Sequence, residues 1–523
     1  MSFVKQAAIL AAAMLFARLI GFLYRLPLTH FIGDEGNALY GVSFQFYLFL
    51  LVLSSAGLPA AVSKMVSERI ARRQYRNAHE VFKAAMTLAV GFGLAGSFLL
   101  WIFAGALAEW FRFPESVYAI RAISPAVVLV AVMAVFRGYF QGMGNTVPTA
   151  VSQVIEQVFN AAVKVLLAYI FVRHIFFGNL AFAAAGAAAG TGVGALIGLL
   201  TLLGIYKMLS PKIYKRISRD NCPTTENRNV LAKEVMYTAF PIILGTAIYS
   251  IANSIDTAMV SHRLWASGAF TQGEINALYG QLTGKFMVLT TLPVTVSTAL
   301  AVAVLPSIAG SAATKDYDAV TGKIKKALRL STLISIPAAV GIGVLAEPVL
   351  YLLFPAHPEG AILLQVGAVS IIFLSLNQVA TGALQGIGKI MIPVIGAFVG
   401  VAAKIPLNHF FIAIPEINVV GAVISTIVCY LIAASINMAM LKKFTGISLD
   451  WLGTFVKPII AAVVMGLACY VSFNVLAWVN LGNIATLFAI GFGMMVYFLI
   501  LLLSGGLRAE DMARIPLVRK LAR

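Results

Sequence analysis

Apolar runs of about twenty residues follow one another along the whole chain, separated by short polar or basic breaks. A run of that length crosses a bilayer as a helix, because a helix satisfies its own backbone where no water can. The pattern predicts helices near 4–29, 37–66, 81–108, 117–141, 148–173, 181–208, 233–262, 276–310, 325–345, 360–386, 391–413, 418–442, 453–473 and 481–504, about fourteen spans. The fold class expected is an all-α polytopic membrane protein. Basic residues gather in alternate breaks: Arg69, Arg72, Arg73 and Arg76; Lys212, Lys215, Arg216 and Arg219; Lys315, Lys323, Lys325 and Lys326; Lys442 and Lys443; and Arg508, Arg514, Arg519 and Lys520. The other breaks hold Asp34, Glu35, Glu109, Glu115, Glu347, Glu359 and Glu416. The positive-inside rule then predicts that both termini are cytoplasmic.

The pattern also repeats. Asn37-Ala38-Leu39-Tyr40-Gly41 recurs letter for letter as Asn276-Ala277-Leu278-Tyr279-Gly280. Leu58-Pro59 with Val62-Ser63 is echoed by Leu292-Pro293 with Val296-Ser297, and Gly138, Gln141, Gly142 and Gly144 by Gly382, Gln385, Gly386 and Gly388. Three matches in one order at a spacing of about 240 residues imply two parallel six-helix repeats, since an even helix number preserves orientation. The expected domains are 1–220 (helices 1–6), 221–445 (helices 7–12) and 446–523, with two further helices and a basic tail. The polar stretch from Ser210 to Asn229 is the linker between the repeats. Pro59, Pro241, Pro293 and Pro337 fall inside predicted helices and are expected to kink them.

Composition agrees with a membrane protein: 60% of residues are hydrophobic, 11% are charged and the mean hydropathy is +0.92. Lys5 precedes the first apolar run, yet that run is long and broken by arginines, so it is expected to be a retained helix rather than a signal peptide. The net charge of +18 is explained by orientation and anionic headgroups, and no nucleic acid is expected. Cys222, Cys429 and Cys469 have no metal or redox spacing.

Some of the charge is intramembrane. Arg18 and Arg25 in the first helix are seven residues apart, close to two turns, and share a face. Arginine at the bilayer centre is expensive, so this face is expected to line a polar interior and bind phosphate or carboxylate; snorkelling is the structural alternative. Lys64 and Lys285 are further candidates for that cavity. Asp256, on a stripe with Tyr249 and Asn253, is a candidate for charge balance or ion coupling, or a structural ion pair; Gln281 lies one turn before Lys285. Glu156 shares a stripe with Gln153, Asn160 and Lys164, and Lys404 with Asn408 holds a comparable place in the second repeat. Interhelix packing is the alternative there. Gly341-Ile342-Gly343 sits inside an apolar helix, Gly388-Lys389 lacks the rest of a P-loop, and the six histidines form no ligand pair. No metal, no cofactor and no catalytic residue is expected.

Arg18-Leu-Ile-Gly21-Phe-Leu-Tyr-Arg25, Phe31-Ile-Gly33-Asp-Glu-Gly36, Gly57-Leu-Pro59 through Lys64, Arg137-Gly138-Tyr-Phe-Gln141-Gly142 and Ser152-Gln153-Val-Ile-Glu156-Gln157 resemble the polysaccharide-exporter branch of the multidrug, oligosaccharidyl-lipid and polysaccharide (MOP) exporter superfamily. The resemblance is closest to the MurJ-type lipid II flippases and stage V sporulation protein B of Gram-positive bacteria, and covers nearly the whole chain. It implies two lobes in a V around a central cavity, a groove for the lipid tail on the last two helices, and alternating access that moves an undecaprenyl-diphosphate-linked cell-wall or polysaccharide precursor outward. In that reading the protein is a transporter of the bacterial cytoplasmic membrane and not an enzyme. Arg18, Arg25, Lys64 and Lys285 meet the diphosphate, Asp256 or Glu156 balances or couples charge, an ion gradient or the membrane potential drives transport, and a monomer is expected. A multidrug or organic-cation antiporter on the same scaffold, and a membrane-embedded glycosyltransferase or ligase, are the alternatives.

Overall fold

The computed structural model describes residues 3–55, 57–220, 226–313, 316–448, 450–478 and 482–506. Cys222, Lys315, the basic tail from Arg508 to Lys520 and the side chain of Tyr249 lie outside the described residues. All regular structure among the described residues is helical. Among the described residues ten helices are long and apolar enough to cross a membrane, or up to twelve if each of two bent pairs is one span. The first expected span and the first part of the second fall in one bent pair, and the seventh, although helical from Arg228 to Ala266, falls outside that count.

The chain packs as two compact units, Met1–Gly284 and Lys285–Arg523. The first contains α1 (Phe3–Leu23), α2 (Arg25–Ser55), α3 (Leu58–Ala71), α4 (Tyr75–Ile102), α5 (Ala104–Trp110), α6 (Val117–Gly142), α7 (Val147–Ile170), α8 (Leu180–Ile217), α9 (Arg228–Ala266) and α10 (Gln272–Gly280). The second contains α11 (Met287–Ala313), α12 (Tyr317–Val344), α13 (Ala346–Leu353), α14 (Ala361–Gly367), α15 (Ser370–Gly386), α16 (Met391–Phe411), α17 (Val420–Thr445), α18 (Lys457–Trp478) and α19 (Asn483–Leu503). The sequence repeat divides the chain by similarity and the units divide it by packing, so α9 and α10 open the second repeat yet belong to the first unit.

Local chemistry accounts for the breaks. α1 and α2 meet at Tyr24 with a bend of 48°. Gly33, at φ 63° and ψ −171°, interrupts α2 in the left-handed half of backbone space that glycine enters without strain. The expected helix 37–66 is instead two helices: Pro59 stands in the first turn of α3, where a missing N–H costs nothing. Gly57 precedes it because a Cβ there would lie 2.5 Å from the Ala239 carbonyl oxygen. Pro337 lies inside α12 as expected. α10 opens on a capping box, Thr271 Oγ1 accepting from Glu274 N while the Glu274 carboxylate accepts from Thr271 N at 2.7 Å.

The repeated motifs share a packing role. A Cβ on Gly138 would lie 2.7 Å from the Pro59 carbonyl oxygen, and one on Gly382 2.8 Å from that of Ala301, so the motif brings α6 onto α3 in one unit and α15 onto α11 in the other. Both copies of Asn-Ala-Leu-Tyr-Gly lie in the first unit. Gly41 on α2 faces Thr283, and Gly280 at the end of α10 faces the Asp34 backbone. In the second unit α18 and α19 pack on α12 through Leu333, Ile336, Ala461, Met465 and Tyr497. Tyr497 donates to the Leu333 carbonyl at 3.0 Å, and buried Arg329 donates to that of Gly506 at 2.6 Å. The last two helices are thus integral to their unit.

Candidate functional site

The site is built from α7 outward. Glu156, Asn160 and Lys164 follow at four-residue steps and fall on one stripe. α8 presses its backbone against that stripe with glycines at matching steps. A Cβ on Gly190 would lie 2.5 Å from Lys164 Cα, and one on Gly194 2.6 Å from Asn160 Cβ. This close approach leaves no room for a side chain at Gly190 or Gly194, and the lysine amine is met from α1 and α2. The bend at Tyr24 carries its ring over the ammonium, with Nζ 4.5 Å from the ring centre, and Tyr40 supplies a second ring at 4.9 Å. Lys164 Nζ donates to Tyr40 Oη at 2.7 Å and more weakly to Tyr24 Oη at 3.4 Å. It is 1% exposed. Arg25, next to Tyr24, is half-buried and donates to the Thr283 carbonyl at 3.2 Å. The Oδ1 of buried Asn160, one turn from Lys164, accepts no hydrogen bond among the described residues.

The acid on the same stripe is already occupied. Glu156 pairs with Arg137 of α6 at 2.6 Å, and Arg137 Nε also donates to Ser152 Oγ at 3.3 Å. Two basic residues, Lys164 and Arg25, therefore lie on either side of Tyr24 while the carboxylate on the stripe serves Arg137.

The remaining expected residues are distributed. Arg18 on α1 and Lys64 on α3 are exposed, as is Asn253 on α9, while Gln281 is half-buried at the start of the π-helical segment Gln281–Phe286. Asp256 is buried on α9, beside Thr257, whose hydroxyl lies 2.7 Å from that of Tyr279. In the second unit Lys285 is 1% exposed and donates to the Glu359 carbonyl at 2.9 Å, with the Glu359 carboxylate at 3.8 Å. Lys404 is buried on α16, one turn before Asn408, which accepts from Ser425 Oγ.

A separate ion network closes the basic end of α3. Arg69 contacts Glu226 and, at 3.0 Å, Glu234, while Asn77 Oδ1 accepts from Glu226 N at 3.1 Å. Burial by itself lowers the Arg69 pKa, but the hydrogen bonds and charges of the two glutamates outweigh it and raise the group above the ordinary arginine value. Arg69 is a permanent cation that ties α3 to α9.

Sequence reasoning overlooked Tyr24 and Tyr40 as partners of Lys164. The available signal was the glycine spacing Gly186, Gly190, Gly194, Gly198, which matches the α7 polar stripe step for step.

The sequence profile described as polysaccharide biosynthesis protein matches residues 3–312, more than half of the chain. The chain belongs to the polysaccharide biosynthesis protein family. A second profile, MatE, matches residues 281–410. Among curated relatives, this family member is 26% identical to stage V sporulation protein B of Bacillus subtilis over 99% of both chains. It is 28% identical to the lipid II flippase MurJ of the same organism, over 88% of this chain and 86% of that one. Its fold matches a solved lipid II flippase MurJ in an inward closed conformation, with a TM-score of 0.70 and 15% identity over 99% of this chain and 100% of that one. With its many membrane-length helices, this polysaccharide biosynthesis protein family member is a multi-pass membrane protein.

Proposed function

We propose that this protein is a flippase that moves an undecaprenyl-diphosphate-linked cell-wall or polysaccharide precursor, lipid II-like, from the cytoplasmic to the outer leaflet by alternating access. The observation that carries the reading is the basic character of the α1–α2–α7 cluster: Arg25 and Lys164 lie by Tyr24, and the acid on the same stripe, Glu156, is bound to Arg137. Such a cluster attracts an anionic headgroup and repels a cation. Relatives of nearly full length, stage V sporulation protein B and lipid II flippase MurJ, support the same reading. Arg25 is the first group assigned to the diphosphate, since guanidinium suits phosphate oxygens at any working pH. Arg18 and Lys64 are the further cations assigned to it. The membrane potential or an ion gradient drives the cycle, the potential being worth about 2.3 kcal/mol per charge per 100 mV.

Translocation of labelled lipid II by reconstituted protein tests the proposal. The wild type is expected to translocate and Arg25→Ala to lose most of the activity, with Arg18→Ala less affected; equal activity in the wild type and both variants overturns the cationic site. The MatE match over residues 281–410 favours a second reading, organic-cation export. Ethidium efflux by the wild type without lipid II movement would establish that reading instead.

A further inference from the structure

Lys164 carries more than an extra positive charge. Its side chain is 1% exposed within a helix that can span the membrane. Its partners are the hydroxyls of Tyr40 and Tyr24 and the rings of Tyr24, Tyr40 and Phe44; among the described residues no carboxylate contacts it. A buried ammonium without a counter-ion costs several kcal/mol, yet the glycines of α8 hold its backbone in place and the α1–α2 bend closes over it.

The choice of partners is informative. A carboxylate satisfies only the charged lysine, whereas a phenol hydroxyl accepts from an ammonium and, by rotating, donates to a neutral amine. The pocket therefore provides hydrogen bonds to both protonation states. The charged and titratable groups facing it are Tyr24 at the bend and Arg25 and Tyr40 on α2. Arg18 lies further along α1, Glu156 on α7 is held by Arg137 of α6, and Arg173 and His174 lie about two turns beyond Lys164. α8 brings no titratable group between Leu180 and Ile205.

We propose that Lys164 is the proton-binding group of the transport cycle, a neutral amine when the site is empty and an ammonium when an anionic headgroup is bound. The inference rests on the reading of the chain as a flippase for a diphosphate-linked lipid. Only the Nζ–H bond forms and breaks: the proton comes from water on the side where the headgroup enters and returns to water when the headgroup leaves. Phosphate brings the counter-charge that the protein omits, so anion and proton bind together and each strengthens the other.

The test uses full-length protein in nanodiscs and lipid II as the probe, whose diphosphate diester keeps a constant charge between roughly pH 6 and 9. The wild type is expected to take up protons on binding, seen with a pH dye in weak buffer, and its affinity to fall by up to about tenfold per pH unit as the solution becomes alkaline. Lys164→Arg, charged throughout, is expected to bind without proton uptake and without that slope, while Arg25→Ala binds more weakly and keeps it. Tyr40→Phe, which loses a hydroxyl and little volume, is expected to shift the pH profile. Wild-type binding without proton uptake, uptake by Lys164→Arg equal to the wild type, or an unshifted profile in Tyr40→Phe each overturns the inference while leaving the flippase reading intact. Failure of the wild type to bind lipid II overturns the flippase reading and this inference with it.

Discussion

Lys164 and Lys285 are each 1% exposed, and each sits on a largely apolar helical segment, but their surroundings differ. Lys285, in the second unit, has the Glu359 carbonyl at 2.9 Å and its carboxylate at 3.8 Å. Lys164, in the first unit, has phenols and ring faces. A buried lysine with an acid beside it has a counter-charge at hand and ties two segments together. One surrounded by neutral dipoles is left with unbalanced charge, which an anion or the loss of a proton can relieve. Burial alone does not distinguish a structural cation from a working one; the neighbouring groups do.

The comparison breaks most visibly if the sign at Lys164 is reversed. Lys164→Glu is expected to lower lipid II translocation by roughly 100-fold or more, because two like charges would meet in a desolvated site. Gly190→Leu attacks the same residue through its backbone: the new side chain starts 2.5 Å from Lys164 Cα, so a thermal melt should show about 1–3 kcal/mol lost to overpacking, with transport reduced. Tyr40→Phe removes the 2.7 Å hydrogen bond and is expected to slow translocation about 3- to 10-fold, corresponding to about 1 kcal/mol. Lys285→Gln should be the mildest. Glu359 is 60% exposed and rehydrates when its partner is lost, so about 1 kcal/mol of stability goes and transport stays within about twofold.

Much of the fold was legible because membrane spans are written in hydropathy, and the predicted segments from 81–108 onward coincide with helices. The first two did not resolve so simply. Proline in the middle of a helix and proline in a first turn read alike in one dimension, and the contact of Gly57 with Ala239 that separates α2 from α3 comes from a distant helix. The site was legible as a stripe and illegible as a set of partners. Glu156 was read as a group for charge balance, ion coupling or interhelix packing, and its partner, Arg137 nineteen residues away, emerges only from the packing of α6 on α7. Tyr24 and Tyr40 look like ordinary aromatics of apolar helices until the bend turns them onto Lys164. Arg18 drew attention by its sequence position near mid-helix, whereas in the fold Arg25 is the arginine beside the buried lysine.

The most direct measurement is lipid II translocation by proteoliposomes carrying Lys164→Gln or Lys285→Gln, matched for protein content. Both changes remove a fully buried lysine amine and leave a side chain of similar length. The account predicts a loss of at least about tenfold at Lys164, or about 1.4 kcal/mol, and near-wild-type transport at Lys285. Equal losses at both positions, or a greater loss at Lys285, would contradict it.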